Sequence, residues 1–182
     1  MMNINNYSLL KNEKVTLYPL KKDDFETLYS VACDPVIWEQ HPNKNRWQKE
    51  VFRTFFEGAL QSQCAFIIVD QQTGNTIGST RIYDHNEQEK TIFIGYTFFA
   101  YSYWGSGTNH LVKTMLLNHV FQFVSKVYFH IGANNIRSQI AIERLGAEKI
   151  EEQEVAYFGE ASRLNYLYVI GIENWKKSLS GS

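Results

Sequence analysis

Cysteine is scarce in this chain. Its 182 residues carry two, Cys33 and Cys64. They form no CxxC pair, and no His/Cys cluster has zinc spacing, so neither a structural zinc site nor a disulfide scaffold is expected. The reading is a pair of reduced thiols in a cytoplasmic protein that holds no metal. An excess of charge is missing too. Lys and Arg number 18 against 19 Asp and Glu, for a net charge of −1, whereas a general nucleic-acid binder carries a strong basic surplus. No apolar run reaches the length of a bilayer span. The opening Met1-Met2-Asn3-Ile4-Asn5-Asn6 lacks the basic region and apolar stretch of a secretory signal. Nucleic acid and membrane are therefore not expected partners. Repeats and low-complexity blocks are absent as well.

What remains is ordinary globular composition, 44% hydrophobic and 20% charged, at a length that suits one domain over 1–182 with a core of about 15–172. Val15 to Leu20 reads as a strand. Asp23-Asp24 then caps a helix running to about Cys33, with Phe25, Leu28, Tyr29 and Ala32 on one face. Asp34-Pro35 ends it. A loop, Val36 to Asn45, leads to a second helix over about Trp47 to Gln61, where Val51, Phe55 and Ala59 share a face. Strands follow at Ala65–Val69, Thr76–Tyr83 and Thr91–Phe99, separated by polar turns, as an antiparallel meander. The pattern then changes to a helix over about Thr108–Val124, a strand at Val127–Ile131, and a helix over Ser138–Leu145 stopped by Gly146. Two more strands, Lys149–Tyr157 and Arg163–Ile170, complete the order. The tail from Ser178 is expected to fray. The sum is a mixed α/β (α+β) domain.

One junction carries chemistry. A long strand feeds the turn Trp104-Gly105-Ser106-Gly107-Thr108-Asn109, which opens a helix. Glycine lets backbone approach a ligand closely. The first helical turn offers unpaired N–H groups and partial positive charge. Together they make an anion site. It is not a Rossmann fingerprint, because the third glycine is absent, nor a Walker A loop, because no Gly-Lys-Ser/Thr follows.

Two motifs, Ile94-Gly95-Tyr96-Thr97 with Tyr103-Trp104-Gly105-Ser106-Gly107, and Asn135-Ile136-Arg137-Ser138 with Glu143-Arg144-Leu145-Gly146-Ala147, resemble the GNAT N-acetyltransferase superfamily. The likeness is strongest to its Rim-type (RimJ/RimL-like) ribosomal-protein N-terminal acetyltransferases and covers about Val15 to Ile170. It implies a GNAT-like fold: a mostly antiparallel, twisted sheet of about seven strands flanked by helices and splayed at its central strands. It implies acetyl-CoA as cosubstrate, its pyrophosphate on Trp104 to Asn109 and its pantetheine arm along the backbone of Phe98, Phe99 and Ala100. Asn135 would bind the arm, and Ser138 would hydrogen-bond or protonate the departing thiolate.

The chain also departs from the family pattern. Trp104 stands where Arg or Gln is usual, and Asn109 stands where Gly or Ala is usual; this asparagine is a candidate helix cap. His110-Leu111 and Phe93 replace common acids, and Ile142 replaces a common tyrosine acid. The base is sought in the loop: Glu39 and His41 beside Trp38 form a group able to bind an ammonium ion and take its proton. Arg81 and Tyr83 end a strand near the implied cleft and are candidate acceptor contacts. Arg46 is read either as orienting an acidic acceptor group or as a solvated charge, and the Tyr157–Glu160 hairpin as closing the acceptor side or one side of a dimer. The expected activity is transfer of an acetyl group to a primary amine, a small molecule or a protein N-terminus, by direct attack in a ternary complex. A domain that binds acetyl-CoA as a sensor, with little or no turnover, is the second reading. A homodimer is compatible with either.

Overall fold

The computed structural model describes residues 9–180. Eight strands form one sheet in the order β1-β2-β3-β4-β5-β6-β8-β7. They are β1 (Leu10–Lys11), β2 (Val15–Pro19), β3 (Ala65–Asp70), β4 (Thr76–Asn86), β5 (Thr91–Phe99), β6 (Lys126–Gly132), β7 (Glu148–Val155) and β8 (Arg163–Gly171). Five helices accompany them: α1 (Phe25–Ala32), α2 (Lys49–Gln61), α3 (Thr108–Val120), α4 (Ile136–Glu143) and α5 (Ile172–Ser180). Every neighbouring pair is antiparallel except β5 with β6.

The strand count exceeds the expected seven because Leu10 and Lys11 pair with Leu17 and Thr16, a two-residue strand too short to show a period. The expected frayed tail is instead the end of α5, where Trp175 is buried and its indole N–H donates to Asn118 Oδ1 at 2.9 Å; Gly181 and Ser182 lie outside the described residues. Asp24 does not cap α1 with its side chain. Its carboxylate accepts from Lys21 N–H at 2.7 Å and closes a short 3-10 turn before the helix.

Alternation along the strands divides the core. Phe66 and Ile68 of β3 pack with the apolar face of α3 (Val112, Leu116, Val120), while Ile67 between them packs with Phe25, Phe52, Phe55 and Phe56 of α1 and α2. Neighbouring strand residues face opposite sides of a sheet, so α3 and the α1–α2 pair lie on opposite faces. Phe52, Phe55, Phe56 and Ala59 recur at helical spacing, which is why α2 buries an aromatic stripe. The edge strand β7 is nearly all charged or exposed, a composition that discourages pairing with another sheet.

The central strand carries one irregularity. Gly95 pairs with Arg81 and Phe98 with Ser79, so three steps along β5 match two along β4. The extra residue makes a bulge, and Tyr96 takes φ 53°, a left-handed conformation that is an outlier for a bulky side chain. Opposite it, a Cβ on Gly78 would sit 2.1 Å from the Phe98 carbonyl oxygen. Only glycine lets the two backbones approach so closely there.

Candidate active site

β5 and β6 pair at Thr91, Ile92 and Phe93 against Lys126, Val127 and Tyr128, and at no residue beyond. The two strands therefore part, leaving the rest of β5 without a strand partner on that side. A cleft of about 600 Å³ opens along this fork. Its walls come from β5 (Ile94 to Phe99), β6 (Phe129 to Gly132), the start of α3 and the inner face of α4.

At one end lies the glycine turn. Gly105 and Gly107 have φ of 72° and 81°, and both face open space where a side chain would project. Gly107 is the N-cap of α3, so Asn109 sits inside the helix and is not its cap. Ser106 Oγ accepts from Thr108 N–H at 3.3 Å, and Leu111 N–H begins the helical ladder at Gly107 O. Between them the N–H groups of Asn109 and His110 belong to the first turn, which has no carbonyls behind it to accept. Asn109 Oδ1 is buried with no hydrogen-bond partner among the described residues. Amides at a helix start, a path open to phosphate and an unspent buried polar atom fit an extended ligand ending in phosphates.

α4 forms the facing wall. Asn135 caps it, its side-chain oxygen accepting from Ser138 N–H at 3.2 Å, which leaves the amide NH₂ as its donor toward a ligand. Ser138 is half-buried and lines the cleft. The Arg137 guanidinium lies 3.5 Å from the centre of the Trp104 ring, tying α4 to the glycine turn across the cleft. Trp104 thereby acts through its ring and its indole N–H, which donates to Phe99 O at 3.2 Å.

The other end is aromatic. Tyr83, Tyr96, Tyr157, His41 and His130 line it, and no Asp or Glu lines the cleft anywhere among the described residues. Burial, with Arg46 and Arg137 adding like charge, holds His41 down at about 3, so its ring is neutral. Burial also lowers His130, against the opposing effects of its hydrogen bond to Gln153 and the charge of Asp84. His130 Nε2 lies 3.1 Å from Gln153 Oε1, and Tyr83 Oη lies 3.4 Å from Nδ1. With Gln153 accepting, Nε2 carries the proton and Nδ1 faces the cleft as an acceptor. Burial raises the Tyr83 hydroxyl well above its ordinary value.

Arg46 is 3% exposed and is not a solvated charge. Its Nε donates to Glu160 Oε1 at 2.7 Å and its Nη2 to Oε2 at 2.8 Å, while its plane lies against Phe55 at 4.7 Å. This pair joins the loop after α1 to the turn between β7 and β8, and so covers the aromatic end. Gly159 in that turn has φ 68°, and a Cβ there would meet Thr54 Cγ2 at 2.4 Å, so the turn seats tightly on α2.

The structure separates several residues that the sequence reading placed together. Glu39 is exposed and does not line the cleft. A 3-10 turn over Pro35–Trp38 carries it to the outer side of the loop, which removes it as a base paired with His41. Trp38 is 0% exposed and donates its indole N–H to Ala32 O at 2.7 Å; it is core, not an acceptor contact. Arg81 is also buried, stacked 3.9 Å from the Tyr96 ring centre and donating to Phe55 O, and it does not reach the cleft wall. Among the turn and strand residues, Phe98, Phe99, Trp104, Gly105, Gly107 and Asn109 line the cleft, whereas Ala100, Ser106 and Thr108 do not. Ser106 and Thr108 instead share a hydroxyl hydrogen bond of 2.8 Å that shapes the turn. Neither His130 nor Lys113 was among the site candidates drawn from the sequence. The signal for both was position: His130 alternates outward in the strand that parts from β5, and Lys113 sits among the apolar positions of α3.

Comparison with known proteins agrees with this geometry. The sequence profile of the acetyltransferase (GNAT) domain matches residues 14–148. No curated protein matches the sequence significantly. Among solved structures, a GCN5-related N-acetyltransferase from Brucella melitensis superposes with a TM-score of 0.82 at 14% identity, covering 95% of this chain and 82% of that one. A GNAT-family acetyltransferase from Bacillus anthracis gives 0.73 at 17% identity, with 91% and 99% covered. Spermidine N-acetyltransferase from Vibrio cholerae, in complex with CoA and spermine, gives 0.68 at 16% identity, with 91% and 99% covered. The glycine turn, the parted central strands and the family match over most of the chain lead to one identification: this protein belongs to the GNAT acetyltransferases, acyltransferases that use acetyl-CoA.

Proposed function

We propose that the protein transfers the acetyl group of acetyl-CoA to a primary amine on a small uncharged body or at a protein N-terminus. The observation that carries this is the continuity of one cleft, with a helix-start phosphate seat at one end and a lining without carboxylates at the other. The free N–H groups of Asn109 and His110 hold the pyrophosphate, which approaches over the open faces of Gly105 and Gly107. The open edge of β5 near Phe98 and Phe99 pairs with the pantetheine arm, and Asn135 donates to it. A backbone N–H at the fork stabilises the oxyanion that develops at the reacting carbonyl. Ser138 donates a hydrogen bond to the sulfur.

The aromatic end decides among acceptors. A polycation bound there meets neutral histidines, tyrosines and an arginine whose charge is already matched by Glu160. Among the described residues, no carboxylate on the walls repays the desolvation of several ammonium groups. An α-amine has an ordinary pKa near 7.7–8.0 and enters partly neutral at pH 7. This supports the Rim-type reading over a polyamine acceptor. His130, its tautomer set by Gln153, is better arranged than His41 to take the proton, directly or through Tyr83.

The test is CoA release from acetyl-CoA with a panel of short peptides, aromatic monoamines, lysine and spermidine. Peptides or monoamines with a free amine should turn over at least tenfold better in kcat/KM than spermidine. Acetyl-CoA binding without product from any amine would overturn the enzymatic reading in favour of a sensing domain. A preference for spermidine would overturn the acceptor assignment.

A further inference from the structure

Lys113 is a buried cation of this cleft to which the reading above gives no role. It lies on α3 among Val112, Leu116 and Leu117 and is 4% exposed. The residue is part of the cleft lining. Nζ donates to Thr97 Oγ1 on β5 at 2.6 Å and stands 5.9 Å from the ring centre of Phe129 on β6. It therefore reaches both strands at the place where they part.

An ammonium group has three protons to donate, and one acceptor, Thr97 Oγ1, serves it among the described residues. It takes part in no ion pair there. The Thr97 hydroxyl does not depend on it, since Thr80 Oγ1 lies 2.8 Å away and Gly95 O at 3.3 Å. A methionine of similar length would fill the space without the cost of an uncompensated charge. Packing alone thus gives no reason for a lysine. A negative charge that appears in the cleft during the reaction does.

Resting on the acetyl-CoA reading above, we propose that Lys113 is a catalytic residue that stabilises the CoA thiolate with its positive charge and then protonates it. The amine nitrogen forms a bond to the carbonyl carbon and gives up a proton to His130, directly or through Tyr83. The carbon–sulfur bond breaks, and its electron pair goes to sulfur. A proton moves from Nζ to sulfur, and the neutral lysine regains one from water. Ser138 keeps its hydrogen bond to the sulfur but carries no charge. Burial holds the Lys113 ammonium down at about 7, so it gives up a proton readily at neutral pH.

The experiment reads the product rather than the rate. The ultraviolet absorbance of the CoA thiolate is titrated against pH in the bound state, as a difference from the complex with desulfo-CoA, which cancels Cys33 and Cys64. In the unaltered protein the bound thiol should ionise at least one pH unit below free CoA, as an adjacent cation stabilises the thiolate. Lys113→Met should move it back to the free value or above. Lys113→Arg should keep it low while losing turnover, because guanidinium does not give up its proton. Desulfo-CoA should bind equally to all three, which also reports that they fold. Equal thiol titrations in the unaltered protein and Lys113→Met would overturn the proposal. Failure of both CoA and desulfo-CoA to bind the unaltered protein would overturn the acetyl-CoA reading beneath it.

Discussion

In the proposed cosubstrate seat, single residues act through the backbone more than through side chains. Gly107 holds φ 81° at the N-cap of α3 with open space before it. A β-branched residue there carries two penalties. The left-handed conformation costs about 1–2 kcal/mol for a residue with a Cβ, and the new side chain stands where phosphate must approach. Gly107→Val is expected to weaken acetyl-CoA binding by at least tenfold in calorimetry while the chain stays folded. Unchanged affinity would show that the phosphate lies elsewhere. Asn109 is a contrasting case: its side chain, not its backbone, departs from the family pattern, and its buried, unpartnered Oδ1 points to a contact completed by the ligand.

Between elements, the buried Arg46–Glu160 pair links the loop after α1 to the β7–β8 turn and roofs the aromatic end. Both partners are almost fully buried, at 3% and 8%. Removing one partner of such a pair leaves the other charge stranded, at about 3–5 kcal/mol, whereas replacing both with apolar groups is often near neutral. Glu160→Gln should therefore lower the urea midpoint and raise the KM for amine more than that for acetyl-CoA. Arg46→Met with Glu160→Met should recover the midpoint but not the amine KM. Additive losses in the double variant would show that the two side chains are not coupled. This contact also marks the limit of sequence reading. Arg46 and Glu160 lie 114 positions apart, and no local pattern pairs them. The elements themselves were legible, because the apolar periods of α1 and α2, the alternation of β6 and the glycines at 105, 107 and 146 act locally. The glycine turn and the Asn135 to Ser138 segment were legible as motifs. The two-residue β1 was too short to show a period, and α5 followed β8 without a break. Glu39 and Trp38 were misplaced because a 3-10 turn, which their sequence does not announce, decides which faces inward.

At the scale of the whole molecule, the cleft ties function to stability through protons. His41 sits at about 3 against an ordinary 6.5, and Lys113 at about 7 against 10.5, in both cases first of all because burial disfavours the charged form. Between pH 3 and 6.5 the unfolded chain therefore binds a proton at His41 that the folded chain refuses. Between pH 7 and 10.5 the same holds at Lys113. Stability rises with pH wherever the unfolded state binds more protons, so both windows slope upward, by at most about 1.4 kcal/mol per pH unit for each group. The buried tyrosines act with the opposite sign. Tyr83, Tyr96 and Tyr157 are raised by burial, and Tyr168 is pushed up to about 12 by burial and by Glu143. Above pH 10 the unfolded chain loses these protons first, and stability falls. The urea midpoint should thus climb from pH 5 to a maximum between about 8 and 10 and then drop. Lys113→Met should flatten the climb above pH 7 and raise the midpoint at neutral pH, since a stranded charge is removed without loss of packing. A profile that is flat from pH 7 to 10 in the unaltered protein would mean that burial does not lower the Lys113 ammonium. The price of keeping that lysine is then a protein less stable at neutral pH than its own core allows, which fits a residue retained for what it does to the sulfur rather than for what it does for the fold.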